Sequence, residues 1–340
     1  MDKSIRINER DSFVAYSLPG RIDHYLITGK VSSNPPDSPF FVFQNFEKSE
    51  SSAHYLVAKE VVLNGSFTCQ VSAFNYREST SVSSYLNMID KTIARIRSGT
   101  NEKIVMSKVK VLPRSEDDVY DLFMRLKVKY PNAFVFLYHT PEIGWWCGAS
   151  PEVLLKVENN RMTTMALAGT QRDNGLPLDQ VIWGDKERHE QGVIEDYVIE
   201  VLQRNKVTYT KEGPITVRAA QVLHLQSTFY FETKKSGLSL AEMLHPGPAI
   251  CGLPEREAFD WIIDHEEHDR EQYCGYIGPW GIDEVYALFV NLRSMRIYNN
   301  CYQLFLGGGI TAGSDSKSEW DETEQKARTL ASVLNKSLVA

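Results

Sequence analysis

Acidic and basic side chains at helical spacing are the first features of this chain with chemical potential. On a helix spanning about residues 185–204, Val193, Ile194, Tyr197, Val198, Val201 and Leu202 form an apolar stripe. Three or four residues back along that face stands Glu190. An acid in line with a buried stripe must be paired or metal-bound, because desolvating it alone is very costly. A first-turn Glu at the edge of the core, helped by the helix N-terminus, fits the same pattern. A last helix over about 318–335 repeats the arrangement, with Leu330 and Leu334 marking its buried face and Lys326, Glu322 and Glu319 behind them. There the competing reading is an exposed Glu-to-Lys pair at i,i+4, worth only about 0.3–0.5 kcal/mol.

Three further segments bear on anions or metals. The run Leu306 to Ser314 carries Gly307, Gly308, Gly309 and Gly313 ahead of the last helix. Such a glycine-rich loop offers bare backbone N–H groups to an anion, although it lacks the spacing of a dinucleotide fingerprint. Arg293 is expected mid-strand in Phe289-Val290-Asn291-Leu292-Arg293, where a guanidinium calls for a bidentate carboxylate, from a ligand or from the protein itself. Asp264 to Glu271 contains His265 and His268, but not in His-Glu-x-x-His spacing. A solvated, charged helix face is the expectation there rather than zinc.

The elements that must position these groups are readable from periodicity. A helix is predicted over about 82–96, with Leu86, Ile89, Ile93 and Ile96 on one face. Strands are predicted at 103–111 and 133–138. A hairpin joins 153–157 to 162–167 across Asn159-Asn160, a pair that tolerates positive φ. A second pairs roughly 285–297 with 302–306 across Asn299-Asn300. Another helix is predicted at about 255–272. Ser49 to Ser52 reads as a polar loop too short to separate domains. Hairpins plus separated helices imply an α+β fold with antiparallel sheet.

The chain has 340 residues, 42% hydrophobic and 24% charged, which allows one large domain or two modest ones without disulfide or metal support. A net charge of -7 with interspersed signs argues against a nucleic-acid partner. It leaves room for a small anionic substrate. Five cysteines, an odd number without a Cys-x-x-Cys pair, favour a reducing compartment. No apolar run of about 18 residues is present, and the first residues lack an apolar signal core, so a cytoplasmic protein with no membrane association is expected.

Several segments together resemble the chorismate-utilising enzymes, a family of isochorismate, salicylate, anthranilate and aminodeoxychorismate synthases. They are Lys103 to Lys108, Gly148-Ala149-Ser150-Pro151-Glu152, Leu167-Ala168-Gly169-Thr170, Lys186-Glu187-Arg188-His189-Glu190, Leu244 to Ala249, Asp269-Arg270-Glu271-Gln272-Tyr273, and Gly307 to Lys326. They stand in the family's order over about residues 75–340, with residues 1–75 only faintly matched. The resemblance implies a single domain over 1–340, built of large, mostly antiparallel sheets and helices in a layered sandwich, with the active site in a cleft between layers. It implies Lys103 as general base and Glu152 as general acid. Glu190 and Glu322 become ligands of a Mg²⁺ cofactor, with Glu319 close by. Lys326, Arg293, Tyr273 and the backbone of Gly307 and Gly309 become the groups that hold the two carboxylates of chorismate. His224, Gly169 and Thr170 match positions lining the pocket.

Within the family, Ala168 stands where some aminodeoxychorismate synthases carry a nucleophilic lysine, so no covalent amine intermediate is available. The ammonia-using members also lack a lysine like Lys103. Water is therefore the expected nucleophile, and isochorismate synthase the expected activity, with salicylate synthase as the alternative and an anthranilate or aminodeoxychorismate synthase-type component behind it. A monomer without an obligatory glutaminase subunit follows, and the pathway, menaquinone or siderophore, stays open. Departures are Gly247 for Thr, Lys108 for Arg, and Asn291 for a small residue.

Overall fold

A computed structural model describes residues 4–49, 52–114, 118–173, 175–219 and 222–334. The first part is all strand: β1 (Ser4–Ile7), β2 (Ser12–Ser17), β3 (Tyr25–Ser32), β4 (Phe40–Gln44), β5 (Ala53–Leu63) and β6 (Ser66–Cys69). Then come α1 (Val82–Arg97), β7 (Lys103–Pro113), α2 (Val119–Lys129), β8 (Phe134–Thr140) and β9 (Gly144–Ser150). The middle holds β10 (Val153–Glu158), β11 (Arg161–Arg172), α3 (Asp185–Arg204), β12 (Tyr209–Ala219), β13 (Val222–Phe231) and α4 (Gly237–Leu244). The last part is β14 (Gly252–Leu253), α5 (Glu255–His265), β15 (Tyr276–Ile282), β16 (Val285–Val290), β17 (Ser294–Ile297), β18 (Cys301–Thr311) and α6 (Ser316–Ala331).

Sixteen strands make one antiparallel sheet in the order β12-β13-β11-β10-β16-β15-β4-β5-β3-β2-β8-β9-β17-β18-β7-β14, and β1 pairs with β6 in parallel. The sheet folds back on itself. Phe134 of β8 stacks on Phe289 of β16 at 4.1 Å between centroids, although five strands lie between them in the sheet. Aromatic residues on facing strands close this interior, among them Tyr16, Phe41, Phe43 and Tyr138. The fold is α+β and layered, as expected, with one doubled-over sheet in place of separate ones. Strands β2 to β5 lie in the middle of that sheet, so the faintly matched residues are part of its framework.

Local sequence explains the helices that matter here. Ser81 caps α1 by accepting from Ser84 N at 3.1 Å, and Tyr85, Ile89, Ile93 and Ile96 form its buried face. Asp315 caps α6 through Ser318 N at 2.9 Å. α1 and α6 lie together on the outer face of β7 and β18. Asn159 and Asn160 take φ of 50° and 65° in the predicted hairpin between β10 and β11.

Three expectations change. The segment 285–297 is two strands: β16 pairs with β10 and β15, and only β17 forms the hairpin with β18. The helix expected to reach 272 ends at His265, and His268, Arg270 and the side chain of Glu266 are buried rather than solvated. Arg270 bonds Glu266, Val105 O and Ile250 O, which compensates both charges inside the protein. The glycine run is strand up to Thr311, not loop, because it pairs with β7 along its whole length. Glu50 and Ser51 of the polar loop lie outside the described residues.

Candidate active site

Lys103 opens β7, directly opposite Thr311 at the end of β18. Its stem lies across Gly309, where a Cβ would come within 2.6 Å of Lys103 Cε. Side-chain direction alternates along a strand. A Cβ at Gly307 would point to the same side, 2.9 Å from the Tyr273 hydroxyl, while one at Gly308 would point outward to Glu319 Oε2 at 3.1 Å and Glu322 Oε1 at 3.9 Å. Bare glycines thus let lysine and tyrosine approach one face of the strand and the α6 acids the other.

The ladder also frees two donors. Ser107 N bonds Glu266 and Val105 N bonds Cys251 O, so neither is paired with the residue opposite, Gly307 or Gly309. In an antiparallel ladder the N–H groups of those two glycines therefore point away from β7. Lys326 reaches this edge and donates to Gly307 O at 2.8 Å.

Glu152 sits between β9 and β10, with its carbonyl accepting from Val290 N at 3.0 Å. It borders a small cavity shared with Thr164, Ile194, Tyr197, Gly247 and Ile250. Burial pushes its carboxyl up to about 7, against the pull of Lys103. Burial lowers the Lys103 pKa, and Lys326 pushes the same way against Glu190 and Glu152. The acid and the amine are each displaced toward the uncharged form, and each feels the other.

Glu190 is at the edge of the α3 stripe, 25% exposed, with Lys186 Nζ at 3.8 Å. Glu322 and Lys326 form the i,i+4 pair at 2.7 Å, each about half exposed, so they flank the buried face of α6 rather than lie in it. Lys326 holds the Glu322 carboxyl below its usual range. Burial raises Glu319, the neighbouring Glu322 adds to this, and the Ser314 hydroxyl donates to it at 2.7 Å. Two repelling carboxylates beside lysines are the hard oxygen donors that suit Mg²⁺. No group of three metal-ligating side chains is preassembled among the described residues, so the remaining ligands would have to be water or substrate. The zinc reading has no support either: His265 stacks on Trp261 and His268 bonds the Ser107 hydroxyl.

Arg293 is not mid-strand. It lies in the break between β16 and β17 with φ 48°, where the chain leaves one pairing for the next. Among the described residues no carboxylate pairs with its guanidinium, and burial lowers its pKa. His224 of β13 contacts Thr170 Oγ1 and Gly169 O, both at 3.2 Å from Nδ1. A carbonyl only accepts, so Nδ1 carries the hydrogen. Burial first, then Arg293 and Lys326, lower this histidine to about 4, leaving Nε2 with a free lone pair at neutral pH.

Lys103 thus lies in the electrostatic reach of Glu152, Glu190 and Lys326, and the order of these residues along the chain can be compared with known proteins. The family model for chorismate binding enzymes matches residues 23–332. The chain belongs to that family. Among chorismate binding enzymes it is 28% identical to the isochorismate synthase EntC of Escherichia coli over 256 residues, 72% of this chain and 66% of that one. It is 28% identical to the isochorismate synthase DhbC of Bacillus subtilis, with the same coverage. The chain therefore spans slightly under two thirds of the length of these relatives. The solved structure of MenF, the menaquinone-specific isochorismate synthase of Escherichia coli, superposes with a TM-score of 0.83 at 20% identity, covering 96% of this chain and 90% of that one. That likeness bears on fold.

Residue reasoning missed several buried polar groups in this chorismate binding enzyme. The buried Glu266–Arg270 pair ties β7 to the segment before β14. Gln191 and Glu195 are buried on α3 at positions that continue the stripe back from Val198 and Ile194. A polar residue inside an apolar stripe was the available signal. Lys108 is 1% exposed, bonded to Glu324 at 2.7 Å with its Nζ 2.9 Å from the Trp320 ring centre. Its strand position gave the signal, since even-numbered residues of β7 face α1 and α6.

Proposed function

We propose that this protein is an isochorismate synthase, converting chorismate to isochorismate in the presence of Mg²⁺. The observation that carries the reading is the Lys103–Glu152 pair, an amine depressed and a carboxyl raised within one field. Displaced pKa values of this kind assign a base and an acid. Lys103, whose amine burial shifts toward the uncharged form, takes a proton from water as the water oxygen bonds to one ring carbon. Glu152 gives a proton to the hydroxyl leaving another, and the ring double bond shifts between them. One water enters and one leaves, so the product is an isomer. Proton return from Lys103 to Glu152 resets the pair.

Chorismate carries two carboxylates. Arg293, Lys326 and the N–H groups of Gly307 and Gly309 are the donors suited to them. Glu190, Glu319 and Glu322 are the residues suited to hold Mg²⁺, which would supply positive charge against the substrate's anion. Releasing Lys326 from Glu322 frees it for substrate. Ala168 offers no nucleophile for an amine intermediate, which supports water as the attacking group.

Purified protein incubated with chorismate and Mg²⁺, with products separated by chromatography, tests this. Isochorismate without pyruvate supports it. Salicylate with stoichiometric pyruvate would make the protein a salicylate synthase, and unconsumed chorismate would remove the proposal.

A further inference from the structure

Strand β11 breaks register between Ala168 and Thr170, where Gly169 is inserted with φ 55°. A bulge with a left-handed glycine bends the strand and takes one backbone N–H out of the ladder. That donor, Ala168 N, is bonded at 2.9 Å by Gln191 Oε1. The same amide donates to Ala166 O at 3.1 Å, Glu195 Oε1 at 3.1 Å and Ser227 Oγ at 3.4 Å. Glu195 is held in turn by Ser227 Oγ and Lys211 Nζ, each at 2.5 Å. Gln191 is 1% exposed, and both ends of its amide are used. It adjoins Glu190 in sequence and braces the bulge whose carbonyl, Gly169 O, accepts from His224. A would-be Cβ at Gly169 meets Glu187 O at 3.1 Å, so helix and bulge are already in contact and only their alignment is left to fix.

We infer that Gln191 is a positioning residue: its amide locks the β11 bulge to α3 and so sets Gly169, Thr170 and His224 at a fixed offset from Glu190. Its role in turnover rests on the proposed activity, whereas its role in fixing His224 does not. An apolar residue of the same shape leaves Ala168 N without an acceptor in the interior, and the bulge relaxes.

The test is Gln191→Met with two readouts. Selective ¹⁵N-histidine labelling, assigned with His224→Asn, reads the His224 ring. The wild type is expected to show one tautomer with hydrogen on Nδ1, and Gln191→Met a mixture. Steady-state kinetics are expected to show a chorismate KM raised about tenfold with kcat within about threefold, the split that marks lost ground-state positioning. Ser227→Ala, a milder change in the same network, gives the same direction with a smaller effect if Gln191→Met does not fold. A folded Gln191→Met protein, or Ser227→Ala in its place, with an unchanged His224 signal overturns the inference. An unchanged KM in an enzyme that turns over chorismate overturns it too. If the wild type does not consume chorismate, the proposed activity fails while the His224 signal still decides the positioning role.

Discussion

At the scale of single residues, the account turns on two side chains that burial shifts toward their uncharged forms. Lys103→Ala and Glu152→Gln are each expected to fold and to lose turnover, measured as chorismate consumption. Near-wild-type rates in either would overturn the acid–base assignment. Glu152 also makes a stability prediction whose sign follows from linkage. Its folded pKa of about 7 lies above its ordinary 4.5, so the folded state binds more protons than the unfolded state between those values. Stability is therefore lost as pH rises through that window and stays lost above it. Glu152→Gln, which cannot ionise, is expected to be more stable than wild type at pH 8 by on the order of 2 kcal/mol, with the gap closing near pH 4. Urea titrations at the two pH values measure it. Equal stability of the two proteins at pH 8 would show that burial does not raise the carboxyl's pKa. A site that stores such a cost in its ground state is typical of catalytic groups.

At the scale of elements, strand β18 carries the site because its glycines leave both faces open. The alternation makes a paired prediction. Gly309→Ala drives a methyl group into the Lys103 stem and is expected to lower kcat about 100-fold, since a displacement near 1 Å costs that much. Gly308→Ala faces Glu319 and Glu322 instead, and is expected to raise the Mg²⁺ concentration for half-maximal rate with a smaller effect at saturating metal. Kinetics at varied Mg²⁺ separate the two, and interchanged effects would contradict the register. This geometry was only half legible in the sequence. The glycines stood out as a backbone anion site, and that reading fits the free N–H groups of Gly307 and Gly309. Their strand character did not show, because glycine has no strand propensity and only long-range pairing with β7 makes them a strand. The helices α1 and α3 were legible to within a residue or two, since the 3.6-residue period writes them locally. Arg293 was misplaced for the same long-range reason: the change of partner between β16 and β17 has no local signature.

At the scale of the whole molecule, the fold brings Glu152, Glu190 and Lys326, from three separate segments, within electrostatic reach of Lys103. α6 is held on the outer face partly by Lys108, caught between Trp320 and Glu324. Removing the carboxylate leaves the buried ammonium with only the Trp320 and Tyr85 rings and no anion among the described residues, so Glu324→Ala is expected to cost about 3 kcal/mol in urea unfolding. A loss under about 0.5 kcal/mol would show that α6 is held otherwise. The family resemblance carried the assignment of Lys103 and Glu152, which no periodicity pointed to. The doubled-over sheet explains why, since the two feel each other's charge only through pairings far apart in the chain. The central claim is that this assembly activates a water molecule against chorismate, and isotope labelling reads it directly. Turnover in H₂¹⁸O with Mg²⁺ is predicted to give isochorismate carrying one ¹⁸O atom, two mass units heavier, with none in recovered chorismate at early times. Isochorismate formed without the label would mean that the hydroxyl migrates within the substrate, and would contradict the account.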